Sequence, residues 1–157
     1  MRYHDIKHDD MNNGDGLRVV LFVSGCEHHC KGCHNPQTWD KDSGNIFDDN
    51  AKKEIFEQLS KDYIDGITLS GGDPLAGWNI KDILSLVKEI REKFPSKSIW
   101  LYTGYTLQEC KKDEQKMAVL GHVDVLCDGE FKEELRSPDK PWVGSSNQNV
   151  IFLRKEE

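Results

Sequence analysis

Short apolar runs alternate with longer amphipathic stretches along this chain, and the alternation sets the expected fold. Val19-Val20-Leu21-Phe22-Val23 is an unbroken apolar run behind Arg18, so Leu17 to Val23 reads as a strand covered on both faces. Gly66-Ile67-Thr68-Leu69-Ser70, Ile99 to Tyr102 and Val123 to Cys127 read as further strands, and Val150 to Phe152 as a fifth. Between them the period lengthens to that of a helix. Ile55, Phe56 and Leu59 share one face over Ala51 to Ser60, with Asp48, Asp49 or Asn50 available as a cap. Ile80, Ile83, Leu84, Val87, Ile90 and Phe94 share the face of a second helix that Asn79 can cap and Pro95 ends. Thr106-Leu107-Gln108-Glu109 has the form of a capping box and opens a third helix, with Leu107, Cys110, Met117 and Leu120 inward and Gly121 as its stop. Ser137 to Gln148, with Pro138, Pro141 and Gly144, reads as a loop.

Strand-helix-strand repetition implies parallel strands joined by right-handed crossovers. A closed eight-stranded α/β barrel takes about 250 residues. This chain of 157 residues holds about five βα units at roughly 30 residues each. It is expected to form one domain, 1–157, built either as an open doubly wound sheet or as a partial, splayed barrel. Four polar or glycine-rich segments each follow a strand: Ser24-Gly25-Cys26, Gly71-Gly72-Asp73-Pro74, Thr103-Gly104-Tyr105 and Asp128-Gly129. Sites of parallel α/β folds are built at that edge of the sheet, so a shared site is expected there.

Charge narrows the function. Lys plus Arg is 21 against 28 for Asp plus Glu, a formal charge of −7. That argues against a nucleic-acid binder, which needs a basic footprint, and against docking on anionic lipid. The run Val19 to Val23 falls far short of the ~20 apolar residues that span a bilayer, and Met1-Arg2-Tyr3-His4-Asp5 has no apolar stretch for a signal peptide. A soluble, cytoplasmic protein with neither nucleic acid nor membrane as partner is expected.

Five cysteines include a tight triplet, Cys26, Cys30 and Cys33, in the spacing C-x3-C-x2-C. An odd, clustered set is no disulfide framework and points to a metal. Three thiolates on one loop can hold three irons of a cubane and leave the fourth open to a small molecule, where electron carriers usually close the cluster with four cysteines. Zinc held by the same cysteines with His28, His29 or His34 is the alternative.

The glycine turn adds the second feature. Gly71-Gly72-Asp73-Pro74 offers backbone groups with little side-chain obstruction and an acid beside them. Together with the cysteine triplet one strand earlier, it resembles the radical S-adenosylmethionine (SAM) superfamily. The likeness extends through Asn13-Gly14-Asp15-Gly16, Phe22 to Cys26, Cys30-Lys31-Gly32-Cys33-His34-Asn35, Thr38-Trp39, Leu69 to Leu75, Ile99 to Tyr105, Val123 to Gly129 and Gly144 to Gln148. In that order these segments resemble the family that activates anaerobic (class III) ribonucleotide reductases, over essentially the whole chain. Gly32 replaces the aromatic residue common before the third cysteine of the superfamily, Asp73 replaces its glutamate, and Asp15 stands where the family commonly has proline.

The resemblance implies an α/β fold, a partial, open (βα) barrel of about five to six parallel strands with outer helices. It implies a [4Fe–4S] cluster on Cys26, Cys30 and Cys33. The backbone of Gly32, Cys33 and His34 would lie along the adenosyl group of SAM, and Gly71, Gly72 and Asp73 would hold its amine. An external one-electron reductant would feed the cluster, SAM would cleave to methionine and a 5′-deoxyadenosyl radical, and that radical would take a hydrogen atom from a glycine of the reductase large subunit. A homodimer, or a heterotetramer with the reductase, is the assembly expected. No acid–base side chain is required, so no catalytic residue is assigned. Activation of another glycyl-radical enzyme, action on a small substrate, and a zinc-stabilised module without catalysis are the competing readings.

The remaining residues carry bland expectations. Thr103, Gly104, Tyr105, Asp128 and Gly129 lie on the site edge with no contact assigned to them; the bland alternative is that Tyr105 only stacks on the next helix and Asp128 only braces a turn. His28 and His29 are exposed loop residues, and His4, His8 and His122 give no signal. Cys110 and Cys127 are buried, and Trp39, Trp78, Trp100 and Trp142 serve packing. A side chain at Gly72 is expected to obstruct SAM while leaving the cluster.

Overall fold

The structure is a computed structural model, and it describes residues 1–26, 28 and 39–153. In chain order it has β1 (Arg2–Asp10), β2 (Arg18–Val23), β3 (Asn45–Ile46), α1 (Asp49–Leu59), β4 (Gly66–Gly71), α2 (Ile80–Lys93), β5 (Ser98–Tyr102), α3 (Leu107–Lys111), α4 (Glu114–Leu120), β6 (Val125–Asp128) and β7 (Asn149–Phe152). The strands form one sheet in the order β3-β1-β2-β4-β5-β6-β7.

The expected partial barrel of parallel strands is corrected by this sheet. It is mixed: β2/β4, β4/β5 and β5/β6 are parallel, whereas β1/β2, β1/β3 and β6/β7 are antiparallel. The reason is local. The segments joining β1 to β2 and β6 to β7 contain no α-helix, and without a crossover the chain returns antiparallel. Strand β1 was missed altogether because only Ile6 and Asp10 of its nine residues are buried, so its sequence reads as polar.

The central strands follow from their composition. Leu21, Leu69, Leu101 and Leu126 lie in register across β2, β4, β5 and β6 and join the core formed with the helices. One residue earlier, Val20, Thr68, Trp100 and Val125 line up on the opposite face. Helix α1 is capped by Asp48, whose side chain accepts from the Ala51 amide. The capping box of Thr106 and Glu109 forms as the sequence predicts. The single helix expected after it is two, because Asp113 caps a new start by accepting from the Gln115 and Lys116 amides. Gly121 ends α4 with a right-handed φ of −60° rather than a left-handed turn. Among the described residues no helix is long and apolar enough to cross a membrane.

Arg18 holds the opposite end of the parallel strands from the glycine turns. It is 1% exposed. Its Nε donates to Thr68 Oγ1 at 2.9 Å, Nη1 to the Asp15 carbonyl at 3.0 Å and to Ser98 Oγ at 2.8 Å, and Nη2 to the Ile67 and Ser98 carbonyls at 2.8 and 2.9 Å. The guanidinium also stands 5.5 Å from the centre of the Trp100 ring. Burial pushes its pKa down to about 10, against the opposing pull of Asp65, Asp124 and Asp15; the group stays charged at neutral pH. Arg18→Met would leave several buried acceptors without donors, each worth about 1–3 kcal/mol. Urea unfolding is expected to show a loss of at least ~3 kcal/mol, and a loss under ~1 kcal/mol would remove Arg18 from this role.

Candidate functional site

The C-terminal ends of β2 and β4 are joined by main chain. Gly72 N–H donates to the Val23 carbonyl and Asp73 N–H to the Gly25 carbonyl, both at 2.8 Å. Gly25 and Gly71 have φ of +93° and +103°, a region that glycine enters freely and side chains rarely do. Cys26 N–H donates to the Trp39 carbonyl at 3.0 Å. Asn79, expected as a helix cap, makes no cap hydrogen bond. Its Nδ2 instead donates to the Ser24 carbonyl at 2.9 Å and the Asp73 carbonyl at 3.0 Å. The first cysteine and the glycine turn are thus one backbone unit.

Asp73 lies beneath this unit and is 0% exposed. Thr103 Oγ1 donates to its Oδ1 at 2.8 Å and approaches Oδ2 at 3.0 Å. Leu75 N–H donates to Oδ1 at 2.9 Å and Gly104 N–H to Oδ2 at 3.0 Å. His28 Nε2 lies 2.7 Å from Oδ2; a carboxylate only accepts, so the ring donates. Those donors fill the lone-pair sites of the carboxylate. The side chain of Asp73 therefore braces the turn from inside, and its own N–H and carbonyl are taken up by Gly25, Ala76 and Asn79.

The expectation that His28 is an exposed loop residue is corrected. Its side chain is 8% exposed, with Nδ1 3.5 Å from Glu130 Oε1. Its ring meets the Tyr105 ring edge-on at 4.6 Å between centres. Burial disfavours the imidazolium, but the hydrogen bond and charge of Asp73, helped by Glu130, outweigh it and raise the pKa. Tyr105 also lies under the Lys116 ammonium of α4, 4.4 Å from its ring centre, so of the two readings left open it has the packing one. Asp128 braces the chain, accepting from the Leu107 amide at 2.8 Å and the Asn149 amide at 3.2 Å.

A cavity of about 260 Å³ opens above the unit, lined by Cys26, Gly71 and Gly72 together with Thr103, Gly104, Phe131, Trp142 and Gln148. Phe131, Trp142 and Gln148 come from the segment between β6 and β7, which the sequence marked only as a loop. Gln148 folds that segment over: its Oε1 accepts from the Gly144 and Ser145 amides at 2.9 and 3.0 Å, and its Nε2 donates to the Gly129 carbonyl at 3.0 Å. Gly144 and Gln148 bound the last motif quoted above, which was the available signal. Trp100 is buried, Trp39 and Trp142 line the cavity, and Trp78 is exposed.

Cys26 is half-buried and lines the cavity. Cys30, Cys33, Gly32 and His34 lie outside the described residues. Cys110 and Cys127 are buried and do not line the cavity. Burial first, then Asp73, pushes the Cys110 thiol up to about 11. Burial likewise pushes Cys127 up to about 12, despite its hydrogen bond with Tyr102. Both stay protonated at neutral pH, where a metal ligand must be a thiolate.

These features fit a cluster with a small organic cofactor beside it. A half-exposed thiol faces a cavity near the lower end of the size range for ligand sites, roughly 300 Å³, and the wall beside it is glycine. The crowding behind Gly72 revises what a side chain there would do. A Cβ on Gly72 would stand 2.5 Å from the Gly25 carbonyl oxygen and 2.7 Å from its carbon, next to Cys26, so the disturbance reaches the cysteine segment itself. Gly72→Ala is expected to cost about 1–3 kcal/mol in unfolding of the metal-free protein and to lower bound iron after reconstitution. Iron at the wild-type level with unchanged stability would contradict this packing.

Comparison with known proteins places the chain in a family. The family model described as a 4Fe-4S single cluster domain matches residues 12–151. The anaerobic ribonucleoside-triphosphate reductase-activating protein of Escherichia coli K12 is 46% identical over 156 residues, covering 98% of this chain and 100% of the relative. The protein of the same name from enterobacteria phage T4 is 45% identical over 150 residues, 96% of this chain and 93% of the relative. That from Haemophilus influenzae is 43% identical over 152 residues, 96% and 97% of the two chains. This chain therefore belongs to the family of anaerobic ribonucleoside-triphosphate reductase-activating proteins and carries its 4Fe-4S single cluster domain.

Proposed function

We propose that this protein is a radical SAM oxidoreductase that places a glycyl radical on the large subunit of an anaerobic ribonucleotide reductase. One observation supports the reading most: the hydrogen-bonded union of the Cys26 segment with the Gly71-Gly72-Asp73 turn beside a single cavity. A cluster site and a glycine-walled ligand site are useful together only if their occupants touch.

In this reading Cys26, Cys30 and Cys33 hold a [4Fe–4S] cluster, with one iron left for the cofactor. Gly32, Cys33 and His34 line the adenosyl side, and the Gly71-Gly72-Asp73 turn receives the amine, with Asp73 setting the shape of the turn from within. When bound and reduced by an external one-electron donor, this pair supplies reductive cleavage of the SAM carbon–sulfur bond and abstraction of one hydrogen atom from a glycine. The chain's own residues bind, orient and enclose. Gly71 and Gly72, lacking a Cβ, let the turn close against the Val23 and Gly25 main chain, and they line the cavity. Phe131 and Trp142 put apolar surface over it, which limits water where a radical must survive. Thr103 and Gly104 fix Asp73, and Asp73 fixes the turn. Among the described residues no group of three His, Cys, Asp or Glu side chains is placed to hold a metal ion, so the cysteine loop is the site to test.

The test is electron paramagnetic resonance on anaerobically reconstituted protein mixed with dithionite, SAM and the candidate reductase. A glycyl doublet that persists after the activator is removed, and changes when the reductase carries deuterated glycine, is the expected result. Cys26→Ala, Cys30→Ala and Cys33→Ala should each abolish cluster binding and the doublet, whereas Cys110→Ala and Cys127→Ala should keep iron. SAM cleavage at full rate without partner and without any glycyl signal would sink this reading in favour of a small-molecule enzyme. A colourless protein holding zinc would sink it altogether.

A further inference from the structure

We propose that His28 is a positioning residue, a latch by which the cysteine loop is held against the Gly-Gly-Asp-Pro turn through Asp73. The inference rests on the cluster-and-SAM reading above and deepens it.

His28 stands two residues after Cys26 and two before Cys30, at the middle of the interval that two cluster ligands must bridge. Among the described residues, backbone bonds tie the chain to the turn as far as Gly25, through Asp73 N–H, and Cys26 is tied to Trp39. Beyond Cys26 the next described anchor is a side chain. His28 reaches inward, 8% exposed, and donates to Asp73 Oδ2 at 2.7 Å. The same oxygen takes the Gly104 amide at 3.0 Å, and Thr103 Oγ1 reaches it at 3.0 Å. One buried carboxylate thus receives the cysteine loop, the end of β5 and, through Leu75 N–H at 2.9 Å, the glycine turn itself.

The ring is fixed on its other sides too. Tyr105 meets it edge-on, and Glu130, from the segment that closes the cavity, lies 3.5 Å from Nδ1. A histidine that merely filled space would need no carboxylate on each nitrogen. On this proposal the fixed position of His28, two residues from Cys26, is what holds a cluster on these cysteines in register with Gly71 and Gly72. Asp73 keeps three other donors if His28 is lost, so the turn and the fold should survive while the register between loop and turn is relaxed.

The experiment compares His28→Phe, which keeps an aromatic ring without a donor, with His28→Gln, whose amide nitrogen can take the place of Nε2. Each protein is reconstituted with iron and sulfide. SAM affinity is read by calorimetry, and the spectrum of the reduced cluster is read with and without SAM. His28→Phe is expected to weaken SAM by about tenfold or more, the scale of a lost charge-assisted hydrogen bond, and to lose the spectral change that SAM induces. His28→Gln should bind within about threefold of wild type, because its amide N–H still donates to the Asp73 carboxylate. If the Phe variant holds no iron while the Gln variant holds a full cluster, the latch is equally supported. Wild-type affinity in the Phe variant, or equal loss in both variants, would overturn it. Failure of the wild-type protein to bind SAM would instead overturn the cofactor reading. The latch is then judged by the reduced-cluster spectrum alone, which must change in the Phe variant and be restored by Gln.

Discussion

A buried carboxylate organises this molecule. Removing Asp73 from water is costly unless every lone pair finds a donor, and the four donors here come from three places in the chain: His28, Leu75, and the adjacent Thr103 and Gly104. The cost of burying one charge thereby becomes a constraint on three segments. The turn after β4 cannot move without breaking bonds to β5 and to the cysteine loop. Glycine is then required where backbones approach, because a Cβ on Gly71 would stand 2.5 Å from the Val23 main chain and one on Gly72 equally near Gly25. The site is a consequence of this packing as much as of its ligands.

The parallel strands are fixed at their other end by the opposite charge. Arg18 spreads its donors over Thr68, Ser98 and three carbonyls, which spans β2, β4 and β5. Burial lowers its pKa, but not far enough to neutralise it. Between these two polar ends the strands are bound by leucines in register and by helices on the same face. A sheet pinned in this way presents its loops from a firm edge, which suits a site whose parts come from different loops.

What was legible in the sequence followed the strength of local patterns. Val19 to Val23 and the Ile80–Phe94 periodicity gave a strand and a helix because burial there leaves one reading. The Thr106–Glu109 capping box formed because its two reciprocal bonds lie within four residues. Strand β1 was hidden, since pairing by main chain asks nothing of Arg2, His4 or Lys7. Direction was hidden also. Apolar runs state that a strand is buried, not which way it runs, and the return to β7 without an α-helix made an antiparallel edge where a parallel one was expected. At the site, Cys26, Gly71 and Gly72 stood out by spacing and chemistry. His28 did not, because a histidine in a polar loop has no pattern to reveal a partner forty-five residues away. Gln148 and Trp142 reach the cavity only through the folding of an irregular segment.

The central claim is that Asp73 joins the cysteine loop, the glycine turn and the end of β5 into one unit before any ligand binds. Amide hydrogen exchange on the metal-free protein and its Asp73→Asn variant measures this directly, because Asn keeps the shape and changes an acceptor into a donor. Faster exchange at Leu75, Gly104 and Cys26 together, with the amides of β2 and β5 still protected, is the result predicted. Faster exchange at Leu75 and Gly104 alone, with Cys26 unchanged, would show that the loop is held independently of Asp73 and would contradict the account.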